Sequence, residues 1–265
     1  MSVAPPSTGP GTSFAALRER LERRHREATA AAFARGDDAV VRTGIPELDA
    51  ALGGGFPRGT IATLEGPPSS GRSALAARLL AAATRGGLGA IVGVELFPPA
   101  LAAAGVQLER LLLVKAGPPL EAARAADIVV RSGAFTVVAM PALPSGRGTG
   151  AATWTRLASL AHRANALLLA IGDDPSTELR YFASVRVTAS IERVRWNGPS
   201  GHLGELAGFD VRAVVRKHKR AAPAGEALVR CEAFEDRPLA ASLRERTLSD
   251  TPARPAVRAE RAGVS

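Results

Sequence analysis

Residues Gly66-Pro67-Pro68-Ser69-Ser70-Gly71-Arg72-Ser73 carry the most specific chemical pattern in the chain. They follow the apolar run Ile61 to Leu64 and lead straight into an alanine-rich amphipathic stretch, so a strand, a glycine-bearing loop and a helix N-terminus are expected in sequence. Gly66 and Gly71 let the backbone turn its N–H groups onto a phosphate, with Ser70 between them, and the helix N-terminus adds positive potential. Ser73 is placed to offer its hydroxyl to magnesium. Position 72, where such loops usually carry lysine, holds arginine. A lysine reaches terminal phosphates as a compact point charge, whereas a planar guanidinium is bulkier and needs another approach angle. Gly66, Ser70, Gly71, Arg72 and Ser73 therefore form a degenerate nucleotide-binding loop, with ATP and magnesium at most weak ligands.

Phosphoryl transfer needs more than a cradle. A carboxylate at a neighbouring strand end must organise magnesium, and another must position the attacking water. The strand expected to supply the first, Phe135 to Pro141, has no acid, and none occurs between Asp127 and Asp173. Glu95, at the end of the expected strand Ile91 to Val94, is the one candidate for the water-positioning role. No catalytic residue is assigned, and the chain is not expected to be an enzyme. The histidines at 25, 162, 202 and 218 show no paired spacing, so no metal site is expected.

The elements that would position these residues alternate regularly. Short apolar runs (61–64, 90–94, 111–114, 136–140, 167–171) are separated by alanine-rich amphipathic segments (73–84, 99–104, 120–132, 153–165). That order predicts an α/β fold with a mainly parallel central sheet covered by helices on both faces. After Tyr181 the pattern changes: 185–187, 194–196 and 211–215, with a turn at Asn197-Gly198-Pro199, predict a C-terminal antiparallel extension. Trp154, His162, Tyr181 and Phe182 are scattered, offer no stacking platform for single strands, and are assigned to the core. Cys231 reads as a buried strand residue.

The 265 residues are 46% hydrophobic and 22% charged, which excludes extended disorder and suits one core of about 200 residues. A single cysteine excludes a disulfide framework. The start lacks a basic segment followed by an apolar run, so a cytoplasmic protein without a membrane partner is expected. The net charge of +9 rests on 31 Arg and 3 Lys, a bias that weakens any inference to nucleic acid. Residues 1–12 read as disordered, 13–36 as a helix that either packs on its own core or forms an arm, 37–236 as the core, and 237–265 as a basic disordered tail. Within the core the positive excess concentrates in 180–220, ending in the run Arg216-Lys217-His218-Lys219-Arg220. Arg216, Lys217, Lys219 and Arg220 face a partner protein, a nucleic acid or only solvent.

Arg42 to Asp236 resembles the core of the bacterial RecA recombinase. RTGIPELDAALGGGFPRG resembles that family's entry into its first core strand, GPPSSGRS its GPESSGKT, and LRYFASVRV with RAVVRKHKRAAP its late strand and basic loop. In RecA filaments the lysines matching Lys217 and Lys219 reach the nucleotide of the adjacent protomer. The departures are equally specific. The loops that hold single-stranded DNA shrink to Pro141–Ala152, whose one charge is Arg147, and to 172–178, whose three carboxylates would repel a phosphate backbone.

A RecA-like core with a degenerate phosphate loop and no DNA loops is similar to the ImuA family, accessory proteins of inducible mutagenesis. That resemblance implies a non-catalytic role in translesion synthesis within the SOS response to DNA damage. The implied partners are RecA, ImuB and, through ImuB, the error-prone polymerase complex, acting at the nucleoid with weak or no direct binding of single-stranded DNA. The alternative is a divergent DNA-dependent ATPase of the RecA family.

Overall fold

In a computed structural model of the chain, the described residues are 40–146, 149–198, 204–220 and 225–232. The expected disordered start at 1–12, the helix at 13–36, the tail at 237–265 and Arg147 all lie outside them. The expected core boundaries at 37 and 236 do so too.

An eight-stranded sheet forms the centre, in the order β10-β9-β8-β3-β7-β6-β4-β5. Its parallel part comprises β3 (Ile61–Glu65), β4 (Gly89–Val92), β5 (Leu111–Val114), β6 (Val137–Pro141) and β7 (Leu167–Gly172). The strands β8 (Val185–Asn197), β9 (Glu205–His218) and β10 (Glu226–Glu232) continue it, and a separate antiparallel ribbon joins β1 (Val40–Val41) to β2 (Phe56–Pro57). Every residue of β3 is buried, as a strand covered on both faces requires.

Successive strand side chains point to opposite faces, and this divides the core in two. Ala62 and Leu64 face the first core, with Leu75, Leu79 and Leu80 of α2 (Arg72–Gly86) and Leu48 of α1 (Pro46–Ala51). Ile61 faces the second, beneath α4 (Pro119–Arg131) and α5 (Ala151–Ala164), where Ala126, Val130, Trp154 and Leu157 are buried. Thr63 and Glu65 follow Ile61 in alternation and so lie on that second face. Two short helices complete the set, α3 (Pro98–Ala103) and α6 (Thr177–Phe182); the Ser176 side chain caps α6 by accepting from the Leu179 amide at 3.2 Å.

The expected architecture holds, with three corrections. The runs 185–187 and 194–196 belong to one long strand, β8. Its first residues pair in parallel with β3, and the whole strand pairs antiparallel with β9 through register shifts. The polar interval Ser190 to Arg193 is tolerated because the strand has left the sheet's covered region, so both of its faces there meet solvent. Second, β4 stops at Val92, because Gly93 turns the chain at φ +63° and donates its amide to the Val114 carbonyl at 2.9 Å. Third, of the four aromatic or histidine side chains assigned to the core, only Trp154 is fully buried. His162 is exposed on the outer side of α5, and Tyr181 is 72% exposed in the last turn of α6, with Phe182 partly buried. Cys231 is buried as expected, and burial pushes its thiol above the ordinary range. Among the described residues no helix is long and apolar enough to cross a membrane.

Candidate phosphate-binding site

The loop between β3 and α2 has the backbone of a phosphate cradle. Gly66 and Gly71 take φ +148° and +88°, and Ser69 is left-handed at +63°. The Ser70 amide donates to the Pro67 carbonyl at 3.1 Å, and its buried hydroxyl accepts from the Arg72 amide at 3.4 Å. Positive φ at Gly71 opens the first turn of α2 with no side-chain cap, leaving its amides turned to the loop. Ser73 is exposed.

Two features set what a phosphate would meet at this cradle. The Arg72 guanidinium folds back and donates to the carbonyl of Gly66, so the loop's own first residue holds the charge meant for a phosphate. The loop is also walled by β8 and β9. A Cβ on Gly71 would lie 2.4 Å from Val211 Cγ2, and one on Gly66 would lie 2.5 Å from the Ala189 carbonyl oxygen. Gly71→Ala thus adds a methyl against a packed strand and a left-handed backbone penalty. We expect a loss of about 2 kcal/mol in urea denaturation; a loss under about 0.5 kcal/mol would show that β9 yields.

The carboxylates at this end of the sheet do not form a magnesium site. β6 ends at Pro141 with no acid. Glu95 is not at a strand end as expected; it is exposed in the loop three residues past β4. Asp173 follows β7 and is exposed, while Asp174 pairs with Arg180. Glu178, in the first turn of α6, accepts from the Ser145 hydroxyl at 2.8 Å, which holds its carboxyl below the ordinary range. Of the eight strands, β3 itself ends on a buried acid, Glu65. Its carboxylate receives both Nε and Nη2 of Arg186 at 2.7 Å and the Thr63 hydroxyl at 2.6 Å. With a bidentate arginine on one side and a threonine on the other, its oxygens are taken. Hydrogen bonding to Glu65 is also what raises the Arg186 pKa. The backbone therefore fits a phosphate, but the strand ends do not fit its metal. Among the described residues, no group of three or more His, Cys, Asp and Glu could hold a metal ion.

The basic run is partly engaged. Lys217 Nζ donates to the Arg180 and Tyr181 carbonyls at 2.6 and 3.2 Å, and Lys219 Nζ to that of Phe182 at 3.4 Å while lying 5.6 Å from the Tyr181 ring centroid. These carbonyls belong to the last turn of α6, where a cation offsets the unpaired acceptors. Burial first, then Lys219 and Arg186, lowers the Lys217 pKa. Arg216 donates to the Thr188 hydroxyl at 3.1 Å, and Arg216, Lys219 and Arg220 are exposed. Lys217→Met should cost about 1 kcal/mol by freeing those carbonyls; an unchanged denaturation midpoint would show that the cap contributes nothing.

Glu65 with Arg186 is the pair that motif reading did not find. A charged residue ending an otherwise apolar strand, with an arginine on a strand that pairs beside it, is the signal that was there to be read.

Comparison with known proteins agrees with the fold. A model of the RecA N-terminal domain matches residues 30–145, which include the phosphate loop. RecA of Methylococcus capsulatus is 31% identical over 224 residues, covering 71% of this chain and 63% of that protein. The core is RecA-like. RecA of Rubrobacter xylanophilus is 44% identical to this chain over 104 residues, 38% of this chain. The chain spans 30% of that relative's length. Among solved structures, the RadB recombinase superposes with a TM-score of 0.55 at 20% identity, over 72% of this chain and 96% of that one. A KaiC-like protein from Pyrococcus horikoshii superposes with a TM-score of 0.51 at 17% identity, over 72% of this chain and 98% of that one. At such identities these two speak for the fold of the RecA-like core alone.

Proposed function

We propose that this chain is a non-catalytic RecA-like accessory protein of DNA-damage-induced mutagenesis, of the ImuA kind. It would bind RecA and ImuB and modulate the RecA filament for translesion synthesis. The observation that carries this reading is a RecA-like fold kept beside a phosphate loop whose magnesium carboxylate is gone and whose Arg72 is turned onto Gly66. A filament-forming ATPase under selection for turnover would not keep the scaffold and lose the metal site. A mimic needs the surface and not the chemistry.

The second reading, a divergent DNA-dependent ATPase, draws on the intact turn geometry of the loop and the exposed Ser73. The test is capture of purified RecA, assembled on single-stranded DNA, by the immobilised full-length chain and by residues 37–265. The accessory reading predicts saturable capture by the full chain and, if 1–36 is the joining arm, loss of it on truncation. No capture by the full chain would end the reading; equal capture by both would move the contact onto the core.

A further inference from the structure

A pocket of about 180 Å³ opens on the outer face of α2, away from the phosphate loop. Arg78 and Arg85 line it from one face of that helix, two turns apart, with Ala81 between them as the floor. The opposite wall is small: Gly44 at φ +73°, Ala104, and Gly105 at φ +91°. The Arg85 guanidinium lies over the backbone there, its Nη2 3.0 Å from where a Cβ on Gly44 would sit, so a side chain at 44 would close the space. Thr43 also lines the pocket, but its hydroxyl and amide are committed to Asp49 at 2.8 and 2.7 Å.

Among the described residues no carboxylate lines the pocket and neither arginine has an ion-pair partner, although the Arg78 charge also acts on the Cys231 thiol. Elsewhere Arg131 and Arg156 converge on one acid, Asp127, while Arg195 alone engages Asp210 and Glu232 and Arg212 alone engages Glu192 and Glu226. Two guanidiniums that line one concavity offer several N–H donors to an oxyanion there, which can accept from both.

We propose that this pocket is a phosphate-binding site, separate from the phosphate loop, that takes a phosphate group between Arg78 and Arg85. Arg85 lies in the last turn of α2, so the site sits at the helix end opposite Gly71, roughly 20 Å along the axis. The phosphate comes either free, as an inorganic polyanion, or from a nucleic-acid backbone.

Titration of the full-length chain with inorganic pyrophosphate by calorimetry tests the proposal, with a dT oligonucleotide as the second arm. The site predicts saturable binding that weakens at least tenfold in R78A/R85A and is unchanged in R110A, which removes an exposed arginine outside the pocket. Competition between oligonucleotide and pyrophosphate would assign the phosphate to a nucleic-acid backbone; pyrophosphate binding alone would assign a free polyanion. Should R78A/R85A fail to fold, Arg78→Gln alone carries the same expectation. Absence of saturable binding in both arms, or binding that survives the changes at Arg78 and Arg85 or is lost in R110A, overturns the site. Because no step depends on RecA, its failure leaves the accessory reading untouched.

Discussion

Arg186→Ala is expected to lower the unfolding free energy by about 3 kcal/mol, measured by urea denaturation. The Glu65 side chain is 6% exposed and Arg186 22% exposed, with both oxygens of the carboxylate engaged at 2.7 Å. Removing the arginine leaves a buried carboxylate with Thr63 as its remaining partner, and breaking a buried pair from one side costs about 3–5 kcal/mol. The partial exposure of Arg186 lets water reach the vacated space, which places the expected loss at the low end. Glu65→Leu with Arg186→Met replaces both partners by apolar groups of similar size and should recover most of the loss. A single-variant loss under about 1 kcal/mol would contradict the buried-pair account. The same pair has a functional consequence, because a carboxylate held this way beside the loop is not free for a metal.

Arg72→Lys is expected to raise the affinity for a fluorescent ATP analogue by tenfold or more while leaving turnover at zero. The guanidinium now donates to the Gly66 carbonyl within the loop. A lysine ammonium, compact and rotatable, would be drawn to the terminal phosphates instead. Binding and chemistry then separate, since the lysine restores a charge in the cradle but supplies no carboxylate at the end of β6. Turnover in this variant would show that another acid, with Glu95, Asp173 and Asp174 at the same end of the sheet, organises the metal.

Much of this was legible in the sequence because it rested on local patterns. Apolar runs of four or five residues between amphipathic stretches mark β3 to β7 and the helices between them, and the loop's glycines account for two of its three positive φ values. What was not legible depends on contacts between distant segments. Arg186 meets Glu65 across 121 positions, and no spacing rule connects them. Val211 reaches Gly71 only because β9 runs beyond the parallel part of the sheet. Nothing in the basic run said that Lys217 and Lys219 cap a six-residue helix. Tyr181 and His162 are exposed for a related reason: ring side chains are buried only where another layer covers them, and among the described residues none covers the last turn of α6 or the outer side of α5.

The most direct test of the central claim is ATP hydrolysis by the purified full-length chain, with magnesium, with and without single-stranded DNA, at protein concentrations that detect one turnover per hour. The account predicts no hydrolysis above a protein-free control in either condition. A DNA-stimulated rate would contradict it, and would make Arg72 and Glu95 parts of a working site.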